Sequence, residues 1–393
     1  MVGTMAKIGD SVKKKVPELR FPGFTDDWEE RKLGEFSDVR DGTHASPKYV
    51  SQGHPMVTSK NLTHSGLDMT DVSFLTDEDF NEINKRSKVS IGDILFGMIG
   101  TIGNPVIVDR DDFAIKNVAL IKEKTSNPIT NKWLLQYLKS PSFNRFIQKE
   151  NAGGTQKFIA LGLIRDMKLR VPEFDEQQKI GSFFKQLDDT IVLHQRKLDL
   201  LKEQKKGYLQ KMFPKNGAKV PELRFAGFAD DWEERKFKDI LKTHSFRSYL
   251  AGVSEDGEYE VIQQGDKPIV GYSDGEPFTD YKDITLFGDH TVSLYKPKSP
   301  FFVATDGVKI LSADNFEGDY LYTTLERYKP EPQGYKRHFT ILKNQDVWFT
   351  ENMEEQQKIG SFFKQLDNTI ALHQRKLDLL KEQKKGFLQK MFV

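Results

Sequence analysis

The pattern of apolar positions along the chain predicts two long coiled-coil helices. Residues 176–213 and 355–392 match at 35 of 38 positions. In both stretches the apolar side chains recur in alternating steps of four and three residues, and a period of about 3.5 is typical of a coiled-coil seam. We predict that the two helices pair with each other, because neither can bury its stripe alone. We expect them to run antiparallel, which would place one domain at each end of the pair. The predicted seam positions are Ile180, Phe184, Leu187, Ile191, His194, Leu198, Leu201, Lys205, Tyr208 and Met212 in the first copy, and Ile359, Phe363, Leu366, Ile370, His373, Leu377, Leu380, Lys384, Phe387 and Met391 in the second.

Two kinds of polar residue interrupt this seam. In an antiparallel pair, His194 and His373 would meet near the middle. We interpret them as a polar layer that fixes the register. The alternative is a metal or catalytic role, which no second ligand at useful spacing supports. Lys205 and Lys384 are expected to lay their stems along the seam and to extend their ammonium groups into water.

A second apolar face lies beside the seam. It either packs against the adjoining domains or docks helices of another protein, and we favour the dock. Two equal docks for two copies of one partner would explain why even solvent positions are repeated, although a recent duplication would do the same. The predicted dock residues are Phe183 and Leu200 with their copies Phe362 and Leu379, flanked by Thr190 and Thr369.

A shorter repeat precedes each unique segment. Residues 16–32 and 220–236 match at 15 of 17 positions. We predict an extended arm followed by a short helix, with Trp28 and Trp232 buried against the adjacent domain. Capping-box spacing predicts the helix starts. These candidate boxes are Asp26 with Glu29 and Asp230 with Glu233 in the short repeats, and Asp175 with Gln178 and Asn352 with Glu355 in the long ones.

The repeats divide the chain into alternating shared and unique segments. We predict a mobile lead (1–15), a first arm (16–32), a first domain (33–175), a first long helix (176–213), a linker with the second arm (214–236), a second domain (237–354) and a second long helix (355–393). Faint likeness between the unique segments indicates one mixed α/β fold used twice. Residues 94–108 are interpreted as two strands around a Gly103-Asn104 turn, and residues 131–149 as helical.

Composition narrows the possible functions. The formal net charge is +1 and the pI is near 7.7, so a DNA-binding surface must come from local clusters of Lys and Arg. There is no cysteine, which excludes disulfides and thiolate zinc sites and fits a reducing cytoplasm. The most apolar run, residues 94–108, is too short to cross a membrane. No phosphate loop, methyl-donor fingerprint or metalloprotease motif is found, so we expect no catalysis, no cofactor and no metal in this chain.

Six loops carry side chains that suit base edges and phosphates. Asn and Gln can pair with adenine, whereas Arg and Lys suit guanine or phosphate. Candidate DNA-binding residues in the first domain are Arg40, Asp41, Thr43, His44, Ser46, Lys48, Ser59, Lys60, Asn61, Thr155, Gln156 and Lys157. Those in the second are Ser245, Arg247, Tyr249, Gln263, Gln264, Lys267, Tyr335, Lys336, Arg337 and His338.

With these motifs the chain resembles the specificity (S) subunits of type I restriction-modification enzymes. The resemblance covers nearly the whole sequence. It rests on the circular order of the repeats, on EQQKIGSFF and PELRFPGF..DWEERKL, and on the phrases DGTHASPKY, MVTSKNL, GDILFGMIGTIGNPV and GGTQKFIAL.

The resemblance implies a fold and a set of partners. Two globular target recognition domains would be separated by two long antiparallel coiled-coil helices, each domain reading one half of a split sequence in double-stranded DNA. Two methyltransferase (M) subunits would bring S-adenosylmethionine and methylate adenine N6. Restriction motor-nuclease (R) subunits would bring ATP and Mg. The competing hypothesis is a coiled-coil adaptor that holds two different protein clients and does not bind DNA.

Overall fold

The computed structural model describes residues 16–64, 66–124, 129–150, 158–215, 217–334 and 336–392. The predicted lead at residues 1–15 lies outside this part of the chain. The fold divides into two units, Met1–Leu193 with Leu377–Val393, and His194–Lys376. Both long helices cross the division, so each unit contains one domain and parts of both helices.

The long helices run from Phe174–Lys211 and from Met353–Lys390. Asn352 caps the second helix, because its side-chain oxygen accepts hydrogen bonds from the backbone N–H groups of Glu354 and Glu355 at 3.0 and 3.1 Å. The corresponding prediction for Asp175 is wrong, since the first helix already includes Phe174 and Asp175 lies in its first turn.

In the first unit the helix segments are antiparallel. The rings of Phe183 and Phe387 are 5.1 Å apart, and the carboxylate of Asp188 pairs with the ammonium of Lys384 at 2.5 Å. Residue numbers therefore rise along one segment as they fall along the other. This confirms the predicted direction of pairing within the unit.

The second unit repeats the arrangement. Tyr208 lies 5.1 Å from Phe362, and Lys205 pairs with Asp367 at 2.6 Å. His194 and His373 meet with ring centroids 5.9 Å apart, as predicted from the repeat. The expectation for Lys205 was wrong, because its ammonium is drawn into ion pairs rather than released to water, and the same holds for Lys384 in the first unit.

The seam follows the predicted period. Every apolar seam position in both copies is buried or half-buried, whereas neighbouring positions such as Ser182, Lys185 and Arg196 are exposed. The alternation reflects the period of the helix, which returns side chains three and four residues apart to one face.

The first domain is built from small sheets and five helices in the described residues. A four-stranded antiparallel sheet has the order Ser37–Asp41, Val118–Glu123, Ile94–Gly97 and Gly103–Ile107. A three-stranded sheet has the order Ser73–Leu75, His54–Val57 and Ala114–Ile115, and Leu62–Thr63 pairs with Gly66–Leu67. The helices are Leu33–Phe36, Asp77–Ser87, Asn131–Lys139, Pro141–Glu150 and Leu161–Asp166.

The second domain repeats this topology. Its four-stranded sheet has the order Leu241–His244, Val308–Ala313, Thr285–Gly288 and Leu294–Tyr295, and its three-stranded sheet the order Ile269–Ser273, Tyr259–Ile262 and Phe301–Val303. The helices are Phe237–Ile240, Gly318–Tyr328 and His338–Lys343. In both three-stranded sheets the central strand has one parallel and one antiparallel neighbour. One mixed α/β fold is therefore used twice, as the sequence predicted.

Each short repeat becomes a strand that leads into a four-residue helix. Glu29–Lys32 pairs with Lys168–Val171, and Glu233–Lys236 pairs with Asp346–Phe349. Trp28 and Trp232 are buried, which confirms that prediction. The predicted helix starts at Asp26 and Asp230 are wrong, because Glu29 and Glu233 begin strands.

The apolar run at residues 94–108 forms the predicted hairpin with a displaced turn. Its strands are Ile94–Gly97 and Gly103–Ile107, so Gly103 and Asn104 lie in the second strand rather than in the turn. Gly103 has a φ of +95° and Asn104 a φ of +45°, a combination that favours glycine and asparagine. These residues instead mark a register irregularity beside the turn.

Candidate nucleic-acid interface

Asn117 joins two of the predicted loops in the first domain. It follows the strand Ala114–Ile115 with a φ of +55°, in the left-handed region that asparagine tolerates. Its side-chain oxygen lies 2.7 Å from Nδ1 of His44, and its carbonyl accepts a hydrogen bond from Ser59 at 3.3 Å. The loops at residues 40–49 and 58–61 therefore meet at one point. Sequence reasoning missed Asn117, which belongs to no recognised motif.

His44 is held in a charged environment. Its Nε2 lies 3.0 Å from the buried carboxylate of Asp41, which also pairs with Arg86. Both ring nitrogens thus face oxygen atoms, and the hydrogen bonds to Asn117 and then to Asp41 raise the pKa of the imidazole. The raised pKa favours the protonated, positively charged imidazole of His44, which lies at the domain surface.

Three predicted base-reading residues of the first domain are structural. Asn61 is buried, where its amide donates to the carbonyls of Asp68 and Asp71 and its oxygen accepts from Thr58. Asp41 and Ser59 are also buried and engaged within the domain. We remove all three from the candidate interface, because satisfied interior side chains have no edge to offer a base.

The remaining first-domain candidates lie at the surface or near it. Lys48 is exposed, and Lys60 forms a solvent-exposed ion pair with Asp71 at 2.8 Å. Arg40 binds Asp38 through two nitrogens, and Thr43 Oγ1 accepts from a nearby backbone N–H. Ser46 accepts a hydrogen bond from Lys116 at 2.8 Å, so Lys116 joins the candidates as a cation that sequence reasoning missed.

The third loop of the first domain carries Thr155, Gln156 and Lys157, which lie outside the described residues. Its exit is anchored by the hairpin at residues 94–107, because the Ile159 N–H donates to the carbonyl of Met98 at 2.9 Å.

The second domain gathers its loops at the equivalent strand end. The His338 N–H donates to the carbonyl of Asp289, just beyond the strand Thr285–Gly288, at 2.8 Å. The next residue, His290, donates its N–H to the side-chain oxygen of Gln264 at 2.9 Å, and its Nδ1 lies 3.2 Å from the carbonyl of Lys336. The loops at residues 263–267 and 334–338 therefore meet at Asp289 and His290.

Several predicted contacts of the second domain also change role. His338 is fully buried, with Nδ1 3.1 Å from the Asp289 carbonyl and Nε2 accepting a hydrogen bond from the Gln333 N–H at 2.9 Å, so both ring nitrogens are engaged within the domain. Gln264 holds the loop at His290, and the ring of Tyr249 packs edge-on against Phe278. We remove His338 from the interface and assign Gln264 and Tyr249 to supporting the loops.

The exposed residues of the same loops stay candidates. Gln263 is half-buried and donates to the Lys267 carbonyl at 3.2 Å. Tyr335 lies outside the described residues. The exposed candidates are Ser245, Arg247, Lys267, Lys336 and Arg337.

The predicted dock divides into inward and outward residues. Phe183 packs on Phe21 at 5.8 Å, and Phe362 packs on Phe225 at 6.2 Å, so both rings serve their own units. The outward face instead carries leucines spaced seven residues apart, two of which the sequence prediction missed. The exposures are 66% for Leu193, 52% for Leu200, 64% for Leu372 and 50% for Leu379.

Two features are absent from the part of the chain that the structure describes. No group of three or more His, Asp or Glu side chains is placed to hold a metal ion in that part of the chain. None of the described helices has both the length and the apolar character that a membrane span requires.

Fold and surface together define a bivalent recognition protein, with two domains of one topology that present different loops. The family model for the type I restriction modification DNA specificity domain matches residues 25–203 and 229–382. The chain belongs to this family, and it is a specificity subunit of a type I restriction-modification system. Such subunits are generally non-catalytic.

Individual relatives agree with the family match. A putative type I restriction enzyme specificity subunit (MjaX) of Methanocaldococcus jannaschii is 23% identical over 92% of both chains. A second specificity subunit of that organism, MjaVIII, is 22% identical over 59% of this chain and 52% of its own. The crystal structure of a type I restriction-modification S subunit from M. genitalium shares the fold, with a TM-score of 0.67 at 16% identity over 96% of this chain and 99% of that one. None of these relatives supports a coiled-coil adaptor.

Proposed function

We propose that each domain reads one half of a split DNA target through its gathered loops. One observation carries the proposal: the same topology brings loops together at corresponding strand ends in both domains, and the side chains there differ. The loop surface of the first domain presents His44, Lys48 and Lys116, and that of the second domain presents Lys267 and Arg337. Such cations suit phosphates and guanine edges, whereas different loops provide different half-sites.

In this proposal the methyltransferase partner covers the exposed leucines of the long helices. Two M subunits would dock on equivalent surfaces, one containing Leu193 and Leu200 and the other containing Leu372 and Leu379. Paired leucines seven residues apart can anchor an amphipathic helix of a partner. This arrangement explains why solvent positions of the long helices are repeated almost without change.

The chemistry belongs to the partners in this proposal. The M subunits bind S-adenosylmethionine and methylate adenine N6, and R subunits with ATP and Mg add cleavage. The specificity subunit itself binds no cofactor and works in the cytoplasm. Its near-neutral net charge leaves much of the DNA affinity to local basic loops and to the M subunits.

Domain exchange tests the recognition proposal. Residues 33–175 are replaced by the matching segment of a relative, and methylated adenines are mapped after reconstitution with the M partner. One half of the target should change while the other half and the spacing persist. If both halves stay the same, the first domain does not read DNA. The reciprocal exchange of residues 237–354 is the matched control and should change the other half.

Leucine substitutions test the dock separately. Leu193→Gln with Leu200→Gln should remove one of the two M subunits, and Leu372→Gln with Leu379→Gln should remove one as well. Combining all four should abolish assembly, as measured by mass in light scattering. Lys202→Gln, an exposed position of the same helix, is the control. Full assembly in the fourfold variant would refute the dock.

A further inference from the structure

A strongly basic pocket lies in the first unit. Its volume is about 480 Å³, and it is lined by the end of the helix Asn131–Lys139 and by the last turns of the second long helix. The charged or titratable residues in its lining are Lys139, Lys381, Lys384, Lys385 and His64, and no carboxylate is present among the described lining residues. Amide side chains, including that of Asn144, add further polar groups.

Lys139 is the unusual member of this cluster. Burial lowers the pKa of its ammonium, and the neighbouring charge of Lys384 lowers it further. The nearby acid, Asp188, is already bound at 2.5 Å by Lys384 and at 3.2 Å by the amide of Gln136. Among the described residues, no carboxylate forms an ion pair with Lys139. Among the described residues Asp188 is therefore near two ammonium groups and forms an ion pair with one of them, that of Lys384.

The second unit shows how the same helix sequence is neutralised. Trp133 lies 6.2 Å from Phe392 in the first unit, and Tyr320 lies 6.2 Å from Phe213, the repeat equivalent of Phe392, in the second. Lys139 follows Trp133 by six residues, and Glu326 follows Tyr320 by six residues. Lys139 and Glu326 therefore occupy equivalent positions in the two units.

Glu326 changes the charge at this position. It binds Lys205, the repeat equivalent of Lys384, at 2.7 Å, and Asp367 binds the same ammonium at 2.6 Å. Two acids thus surround one lysine in the second unit, where the first unit has one acid and two lysines. The difference in charge between the two units at this position therefore comes from the domains, Lys139 in the first and Glu326 in the second, and not from the repeated helices.

We propose that this pocket of the first unit binds a phosphate group. Four lysine side chains line the pocket together with amide side chains, and a phosphate offers the negative charge and the acceptor oxygens that ammonium and amide N–H groups bind. A bound anion would also offset the burial of Lys139. The phosphate belongs either to the DNA backbone or to a free nucleotide. The site is inferred from charge and burial, and it does not rest on the assignment of the base-reading loops.

Repeat-matched variants of the full chain, assembled with its methyltransferase partner, provide the test. Pyrophosphate is titrated by calorimetry in the absence of DNA, and a duplex carrying the target is titrated over a range of salt concentrations. The variants are Lys139→Gln and Lys385→Ala. The control is Lys206→Ala, which changes the same residue of the same repeat in the second unit.

Loss of a charge-assisted contact should weaken phosphate binding by about tenfold in Lys139→Gln and in Lys385→Ala, and leave Lys206→Ala unchanged. If pyrophosphate binding alone weakens, the ligand is a free phosphate compound. If duplex binding also weakens and its salt slope falls by about 0.9, the ligand is a backbone phosphate. Unchanged affinity for both probes, or equal losses in Lys206→Ala, would overturn the proposal. A change in the DNA half-site that is recognised would report on the base-reading loops, and it is measured separately from the two affinities.

Discussion

At the scale of single residues, identical glycines of the long helices have different surroundings. A Cβ on Gly181 would lie 2.9 Å from the Cβ of Lys132, and Gly360 is as closely packed in the second unit, whereas Gly207 and Gly386 face open space. Alanine at Gly207 or Gly386 should raise the free energy of unfolding by about 0.5–1 kcal/mol, since glycine weakens a helix interior. Chemical denaturation of each variant measures the change.

Substitution of the two closely packed glycines, Gly181 and Gly360, should change stability in the opposite direction. Alanine at Gly181 or Gly360 should destabilise by about 1–3 kcal/mol, because backbone and Cβ atoms of the adjoining helix cannot move aside cheaply. Equal stability changes at all four positions would contradict the close packing of the domains on their helices.

His44 should titrate above its ordinary pKa of 6.5. Because its pKa is raised in the folded protein, the contribution to stability is fully present below about pH 6.5 and is lost as pH rises through the higher folded value. Asn117→Gly removes the first hydrogen-bond partner and keeps the left-handed backbone available. It should lower the pKa of His44, as followed by NMR of the imidazole C–H signals.

His44→Gln identifies the signal and is the control for this titration. A folded-state pKa at or below 6.5 in the unmodified protein would show that Asn117 and Asp41 do not hold the ring as described.

Loop side chains were the least predictable part of the molecule. The motif DGTHASPKY contains His44, which is exposed at the domain surface, but the same criterion selected Asp41 and Asn61, which are buried and internally bonded. Residue type reports which groups a side chain offers, whereas burial depends on contacts with distant residues such as Asn117 and Arg86. Sequence spacing alone contains no signal for those contacts.

At the scale of elements, each short repeat ties two helix ends together. Arg20 binds the buried carboxylate of Glu176 at 2.7 and 2.8 Å, and the Leu19 N–H donates to the carbonyl of Lys390 at 2.9 Å. The arm thus contacts the start of the first long helix and the end of the second. Because the arm contacts both long helices, the second pair of helix ends needs a second copy of the arm.

Removing the clamp should be costly. Arg20→Ala leaves Glu176 buried without its ion partner, and the expected loss is about 3–5 kcal/mol in the free energy of unfolding. Arg224→Ala should act equally on Glu355, which Arg224 binds at 2.7 and 2.9 Å. Denaturant unfolding monitored by tryptophan fluorescence reports both, because Trp28 and Trp232 are buried in the hydrophobic cores of the two units.

Lys32→Ala is the matched control for the clamp. Lys32 pairs with Asp166 at 2.9 Å, but both side chains are exposed, so water and salt screen the pair and its loss should change stability little. A loss in Arg20→Ala no larger than that in Lys32→Ala would mean that the buried pair does not hold the arm.

Periodicity predicted the long elements well and the short ones poorly. The seam of Ile180, Phe184 and their successors specified the helices and their pairing with each other, because a strict heptad pattern admits few structures. Capping-box spacing failed at Asp26 and Asp175, where strand pairing and an earlier helix start prevailed. Short polar patterns are compatible with several local structures, and tertiary contacts choose among them.

At the scale of the whole molecule, the order of repeats is circular rather than linear. The Leu223 N–H donates to the carbonyl of Lys211 at 2.8 Å, just as the Leu19 N–H donates to that of Lys390. In the second unit the chain passes continuously from the helix end to the arm through residues 212–219. In the first unit the same contact is made by the two ends of the chain.

A circular permutant tests this equivalence. The chain is opened in the linker at residues 214–219, and a copy of that linker joins residue 392 to residue 16. All contacts of Leu19 with Lys390 and of Leu223 with Lys211 are kept, so the permutant should fold with unchanged stability and, with its methyltransferase partner, direct methylation to the same DNA sequence. Methylome mapping beside the unpermuted chain measures this. Reversed half-sites or altered spacing would show that chain order, and not the repeated clamp, determines the recognised DNA sequence.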